Sequence, residues 1–118
     1  MVGAQFWSVY VDMESVEVGA ARVQLEQIDI ALQVIAKYPD VLELALDASD
    51  VQRIFASGKI ASMMGMEGGH AIENSLGALR AFFTMGVRYM TLTHHGTPDR
   101  ACLLFPSAVA HHLPFLFF

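Results

Sequence analysis

Cysteine is almost absent from this chain, with Cys102 the single one among 118 residues. One cysteine cannot form a disulfide within the chain, so the sequence gives no sign of an oxidising compartment. Basic residues are also few, because seven lysines and arginines face twelve acidic residues and leave a formal net charge of −5. The chain therefore lacks the positive surface that neutralises phosphates, and we expect no nucleic-acid partner.

Long uninterrupted apolar runs are missing as well. The most apolar stretch, residues 101–118, is broken by Pro106, Pro114 and the adjacent His111 and His112, so we interpret it as non-spanning. The first residues lack the basic segment of a signal peptide, and none is expected. The localisation of the chain and any membrane association stay open.

What the sequence does contain is apolar residues, at 54% against 16% charged residues, which is typical of a folded domain. Apolar runs at residues 2–11, 60–66 and 87–93 predict three buried strands. A shorter run at residues 41–46 predicts a fourth strand, although Glu43 interrupts it. Phe6 and Trp7 in the first run are expected in the core.

Between these runs, apolar residues recur at the three- and four-residue spacing of helices. A long helix is predicted from Ser15, as N-cap, to Pro39, and a second begins at Asp47 or Ser49 and ends at Gly58. The predicted buried positions are Val51, Ile54 and Phe55 in the second helix, and Ile72, Leu76, Leu79 and Phe83 in a third. This alternation predicts an α/β fold with a parallel sheet and right-handed crossovers.

The stretch from Lys59 to His70, KIASMMGMEGGH, contains the strongest candidate for a site. It places Glu67 at the end of a predicted strand, and His94 ends the next one, so both side chains are expected at the same edge of the sheet. Each has a structural alternative: Glu67 as a partner of a helix dipole, His94 as an ordinary loop histidine. We interpret His70 as a structural donor or as a donor that supports the site, and not as a metal ligand. The methionines Met63, Met64 and Met66 are interpreted as core residues.

Five segments in order give a more specific indication: VGAQFWSVYV (2–11), LEQID (25–29), GMEGGHAIE (65–73), LGALR (76–80) and GVRYMTLTH (86–94). With them the chain resembles the membrane (renal) dipeptidase family of zinc metallopeptidases. The resemblance implies part of a (β/α)8 TIM-type barrel of the metal-dependent hydrolase kind, which is incomplete here because a whole barrel takes roughly 250 residues.

The resemblance also implies a division of the chain. We expect residues 1–97 to be a partial dipeptidase βα-barrel segment, and residues 98–118 to be an atypical apolar tail unrelated to the family. Where the family continues with a Cys-Asn-Thr-Pro-Trp-like loop, this chain reads HGTPDR at residues 95–100. A reading-frame slip or a retained non-coding segment is our hypothesis for the tail.

The family's chemistry implies roles for two residues. Glu67 matches the catalytic glutamate that bridges two Zn²⁺ ions, and His94 matches a catalytic histidine that binds the substrate and polarises its scissile amide. The expected substrate is a dipeptide, attacked by a metal-activated hydroxide. The family's first-strand His-x-Asp pair and later histidines have no recognisable counterpart here.

Three functional hypotheses follow. The first is a fragment of a zinc-dependent dipeptidase that is inactive by itself. The second is a catalytically inactive remnant acting at most as a structural module, or as a homo-oligomer formed through its open sheet edges. The third is a small α/β ligand-binding module.

Overall fold

The computed structural model describes residues 2–92 and the backbone of residues 116–117. Five strands and three α-helices follow one another in this part of the chain: β1 (Ala4–Tyr10), α1 (Ala20–Lys37), β2 (Leu42–Leu44), α2 (Ala48–Ala56), β3 (Ile60–Glu67), α3 (Leu76–Thr84), β4 (Val87–Met90) and β5 (Leu116–Phe117). Short 3-10 helices occupy Met13–Glu17 and Gly69–Ile72. None of the helices found in residues 2–92 is long and apolar enough to cross a membrane.

Strand β3 is the centre of the sheet. It pairs in parallel with β1 along one side, and with β2 and β4 along the other. Strand β5 pairs with β4 in the antiparallel direction. The predicted α/β fold with a parallel sheet is confirmed, and the four predicted strands are present. The boundary expected at residues 97 and 98 lies outside the described residues and stays a prediction.

Helix α1 packs against one face of this sheet. The main core combines its buried Ile28 and Ala31 with Val9 of β1 and with Met64 and Met66 of β3. A smaller cluster joins Ala45, Ile54 and Ala61, with Met63 and Val51 packed against it. The interpretation of the three methionines as core residues is thereby confirmed.

The prediction that Phe6 is a core residue is wrong. Successive side chains of a strand point to opposite faces, so Phe6 lies opposite Trp7 and Val9 and remains 51% exposed. Its ring instead packs against the Tyr89 ring in an edge-to-face arrangement, with a centroid distance of 5.1 Å. Trp7 packs against the main core, as expected.

The helix starting at Ser15 is also a wrong prediction. Asp12 caps a 3-10 helix over Met13–Glu17, and α1 begins only after Gly19, whose φ of +97° interrupts the helical backbone. Glycine adopts this conformation without steric cost, so the chain can turn there between two helical segments.

Two further helix predictions need correction in detail. Phe55 of α2 and Phe83 of α3 are exposed rather than buried, whereas Leu79 is buried as expected and Phe82 is buried in place of Phe83. That helix begins after its N-cap Ser75, so Ile72 belongs to the preceding 3-10 helix and Leu76 is exposed. Phe55 and Phe83 each follow a buried residue, Ile54 and Phe82, and one step along a helix turns the side chain by about 100°, away from the core. Of the two caps proposed for α2, Asp47 is the one used, and Gly58 follows its C-cap, as expected.

Candidate active site

Glu67 is the last residue of β3, at the carboxyl end of the parallel sheet. Its carboxylate accepts a hydrogen bond from the Ser8 hydroxyl, with an Oγ to Oε2 distance of 2.7 Å. Tyr10 of β1 lies directly beside Glu67 in the strand register. Burial, together with the negative charges of Asp12 and Glu67, raises the pKa of Tyr10, so its phenol stays protonated and can donate.

The turn after Glu67 is tied to the neighbouring strand. Gly68 has a φ of +102°, which favours glycine, and its N–H donates to the Thr91 hydroxyl at 2.8 Å. The N–H of Thr91 in turn donates to the Met66 carbonyl at 3.0 Å. These two bonds close the turn against the end of β4 and limit the movement of the Glu67 backbone.

His70 fixes the other side of the same turn. Its ring is buried, and Nε2 lies 2.9 Å from the Val11 carbonyl oxygen just beyond β1. A carbonyl oxygen only accepts, so Nε2 carries the proton and donates. The expectation that His70 is a structural donor is confirmed.

A glycine in β3 shapes the same sheet face. A Cβ at Gly65 would lie 2.1 Å from two carbons of the Tyr89 ring, so that ring occupies the space that a side chain would need. The pairing of β3 with β4 shifts register between Met64 and Gly65. The absent side chain therefore lets Tyr89 cross the strand and meet Phe6.

Sequence reasoning missed Ser8, Tyr10 and Thr91. The first run is mostly apolar and aromatic, which favours a buried strand, but within it Ser8 and Tyr10 alternate with Trp7 and Val9. This alternation over residues 7–10, which places Ser8 and Tyr10 on the same face of the strand, is the signal that identifies them. Thr91 carries no such signal, because only the pairing of β4 with β3 brings it to Gly68.

Only one of the two predicted site residues lies in the described part of the chain. Glu67 occupies the predicted strand end, whereas His94 lies outside the described residues, so their juxtaposition stays a prediction. Within residues 2–92 and 116–117, no three His, Cys, Asp or Glu side chains cluster as a metal site. Glu67 offers the oxygen donor that zinc accepts, and thus fits one ligand of such a site but not a complete one.

The chain is similar in sequence and in fold to known proteins. The sequence pattern described as membrane dipeptidase (peptidase family M19) matches residues 1–102. The chain belongs to the membrane dipeptidase family. It is 44% identical to dipeptidase 3 of Rattus norvegicus over 93 residues, covering 79% of this chain and 18% of the rat protein.

Two fungal family members are equally similar. Dipeptidase ataJ of Aspergillus terreus is 46% identical over 119 residues, covering 94% of this chain and 28% of the fungal protein. Dipeptidase tcpJ of Claviceps purpurea is 45% identical over 100 residues, covering 78% of this chain and 24% of its own length. The chain thus spans only 18–28% of the length of these relatives. The ataJ alignment covers more of the chain than residues 1–97 contain, so it extends into the expected tail.

Solved structures share the fold. An amidohydrolase from Pseudomonas aeruginosa superposes with a TM-score of 0.69 at 17% identity, covering 82% of this chain and 28% of the other. A metallopeptidase, dipeptidase AC, gives a TM-score of 0.69 at 24% identity, covering 77% of this chain and 30% of the other. At these identities the likeness concerns the fold alone.

Proposed function

We propose that this sequence is part of a zinc-dependent dipeptidase that hydrolyses the peptide bond of dipeptides, and that its sheet is part of a (β/α)8 barrel. The observation that carries the proposal is the position of Glu67, at the carboxyl end of a central parallel strand within a matched family segment. Catalytic residues of βα barrels lie at this end of the strands.

The chemistry divides between metal and protein. Bound zinc supplies a hydroxide nucleophile at neutral pH and stabilises negative charge on the substrate oxygen. Glu67 holds the metal through its carboxylate, at a place that the bonds of Gly68 and His70 keep fixed. His94 binds the carbonyl of the dipeptide. The remaining ligands come from parts of the family barrel that this sequence does not match.

A chimera tests the role of Glu67. Residues 2–92 of this chain replace the aligned segment of the Aspergillus terreus dipeptidase, so the rest of that protein provides the missing ligands. We expect Glu67→Gln to remove at least one zinc and most dipeptide hydrolysis, because an amide lacks the charge that holds the metals. Elemental analysis and a dipeptide assay measure both. The exposed Glu26 of α1, changed to Gln, is the matched control.

Retention of the parent zinc content and turnover in the Glu67→Gln chimera would refute the assignment. His94 requires a longer graft, over residues 2–94. There His94→Ala should keep the zinc and lower kcat by about a hundred- to a thousand-fold, as expected for a group that stabilises the oxyanion. A loss of zinc in that variant would instead make His94 a ligand.

A second candidate, a catalytically inactive remnant, is favoured by strand β5. It runs antiparallel beside β4, at Tyr89 and Met90, where a βα barrel continues with a parallel strand. The chimera separates the two candidates: zinc binding and dipeptide hydrolysis there favour the dipeptidase, and the absence of both in a folded chimera favours the remnant.

A further inference from the structure

Ser8 of β1 and Glu67 of β3 lie close together on neighbouring strands. The register pairs Ser8 with Gly65 and Tyr10 with Glu67, so Ser8 and Glu67 share a sheet face and are diagonal neighbours across two strands. The serine hydroxyl therefore reaches the Glu67 carboxylate directly, at 2.7 Å.

The chemistry of this hydrogen bond suits a metal-binding carboxylate. A hydroxyl donor on Oε2 restricts rotation of the carboxylate and thereby sets the direction of its lone pairs. Unlike a lysine or arginine, the hydroxyl brings no positive charge that would repel a metal ion. Partners of this kind orient metal ligands in many metalloproteins.

We propose that Ser8 is a positioning residue for Glu67, holding the carboxylate in the orientation needed to bind the metal. The inference rests on the proposed role of Glu67 as a zinc ligand. The N–H of Gly68 and the ring of His70 form hydrogen bonds that fix the backbone at the end of β3. Ser8 acts on the Glu67 side chain and orients its carboxylate. The described residues form this contact within the sheet.

The first experiment uses the chain itself. Three-bond scalar couplings in isotopically labelled protein report the side-chain conformers of Glu67 without any metal or substrate. We expect one dominant conformer in the parent chain, conformational averaging in Ser8→Ala, and recovery of the single conformer in Ser8→Thr, which keeps the hydroxyl. Ser57→Ala removes a hydroxyl bonded to the Ile54 carbonyl and should leave the Glu67 couplings unchanged.

Unchanged Glu67 couplings in Ser8→Ala would overturn the proposal, as would averaging in the parent chain. Equal averaging in Ser8→Ala and Ser8→Thr would also overturn it, because the effect would then come from packing rather than from the hydroxyl. The amide spectrum of each variant shows whether the sheet is intact.

The second experiment measures zinc affinity in the chimera by competition with a chelator. Ser8→Ala should weaken zinc binding about 10- to 100-fold, with recovery in Ser8→Thr. In the Glu67→Gln background, Ser8→Ala should have no further effect. Zinc loss in Glu67→Gln with parent affinity in Ser8→Ala would overturn the role of Ser8 alone. Parent affinity in Glu67→Gln would instead overturn the proposed function.

Discussion

Glu73 connects the turn after the candidate site with the long helix α1. Helix α1 has Gly19 at its N-cap, which offers no side chain to the first N–H groups. The Glu73 carboxylate replaces that cap, since Oε1 accepts from the Ala21 N–H at 3.3 Å. To reach it, Glu73 adopts a φ of +49°, a conformation that costs energy in residues with a Cβ. A residue distant in sequence thus completes the helix.

We expect Glu73→Ala to lower the free energy of unfolding by about 1 kcal/mol, the usual effect of losing a cap. The negative charge near the positive end of the helix dipole is lost as well. Urea denaturation followed by circular dichroism measures the change. Glu26→Ala, at an exposed position within α1, is the control and should change stability little. Equal stability of Glu73→Ala and the parent would show that the contact contributes nothing.

At the scale of elements, the crossing of Tyr89 over β3 depends on Gly65. We expect Gly65→Ala to destabilise the fold by about 1–3 kcal/mol, because the added methyl group overlaps the Tyr89 ring. Tyr89→Ala in the same chain should recover part of this loss. Gly77 of α3 is the contrasting position: a Cβ there meets nothing closer than 3.4 Å. Gly77→Ala should therefore stabilise by up to about 1 kcal/mol. Thermal unfolding measures the stability of each variant. A Gly65→Ala variant as stable as the parent would contradict the expectation.

The N-cap of α2, Asp47, makes the stability of the fold depend on pH. The pKa of Asp47 is held below its usual value, first by the Ser49 hydroxyl and then by the Asp50 N–H. Because the folded pKa is depressed, the ionised carboxylate stabilises the fold above about pH 4, and this contribution disappears as the pH falls through the folded pKa. We expect Asp47→Asn to be less stable than the parent at pH 7, with a smaller difference at pH 3.

Urea denaturation at the two pH values measures both differences. Asp40→Asn, at an exposed position outside any helix cap, is the control and should show little difference at either pH. A gap between Asp47→Asn and the parent that is the same at pH 7 and pH 3 would show that the ionisation of Asp47 does not stabilise α2.

At the scale of the whole molecule, the described residues form no cluster of three metal ligands around Glu67. We therefore expect the chain alone to hydrolyse dipeptides no faster than its Glu67→Ala variant, since a single carboxylate does not retain two zinc ions. A sensitive dipeptide assay with added zinc measures this. Zinc-dependent turnover that disappears in Glu67→Ala would contradict the expectation.

Large apolar side chains also remain on the surface. Phe6, Phe55 and Leu76 are 51%, 61% and 60% exposed. Surfaces of this kind favour association, so we expect the chain to elute as more than a monomer at high concentration. Leu76→Gln should reduce association without loss of folding. Size-exclusion chromatography with light scattering measures the mass, and a monomer with cooperative unfolding at all concentrations would contradict this.

The sequence by itself determined the type and order of the elements and the position of Glu67. Apolar runs and helical spacing depend on local residue pattern, which is why β3 was predictable and why the cap of α2 was narrowed to Asp47 or Ser49. The motif around Glu67 likewise belongs to one contiguous segment, so the family could be identified without the structure.

Only the tertiary structure decided which side chains meet. The bonds from Ser8 to Glu67 and from Ala21 to Glu73 join residues that are 59 and 52 positions apart, so no local pattern encodes them. The exposure of Phe6 depends on which sheet face α1 covers. Pairing, register and the covered face are set by packing over the whole sheet, and these fix the geometry around Glu67.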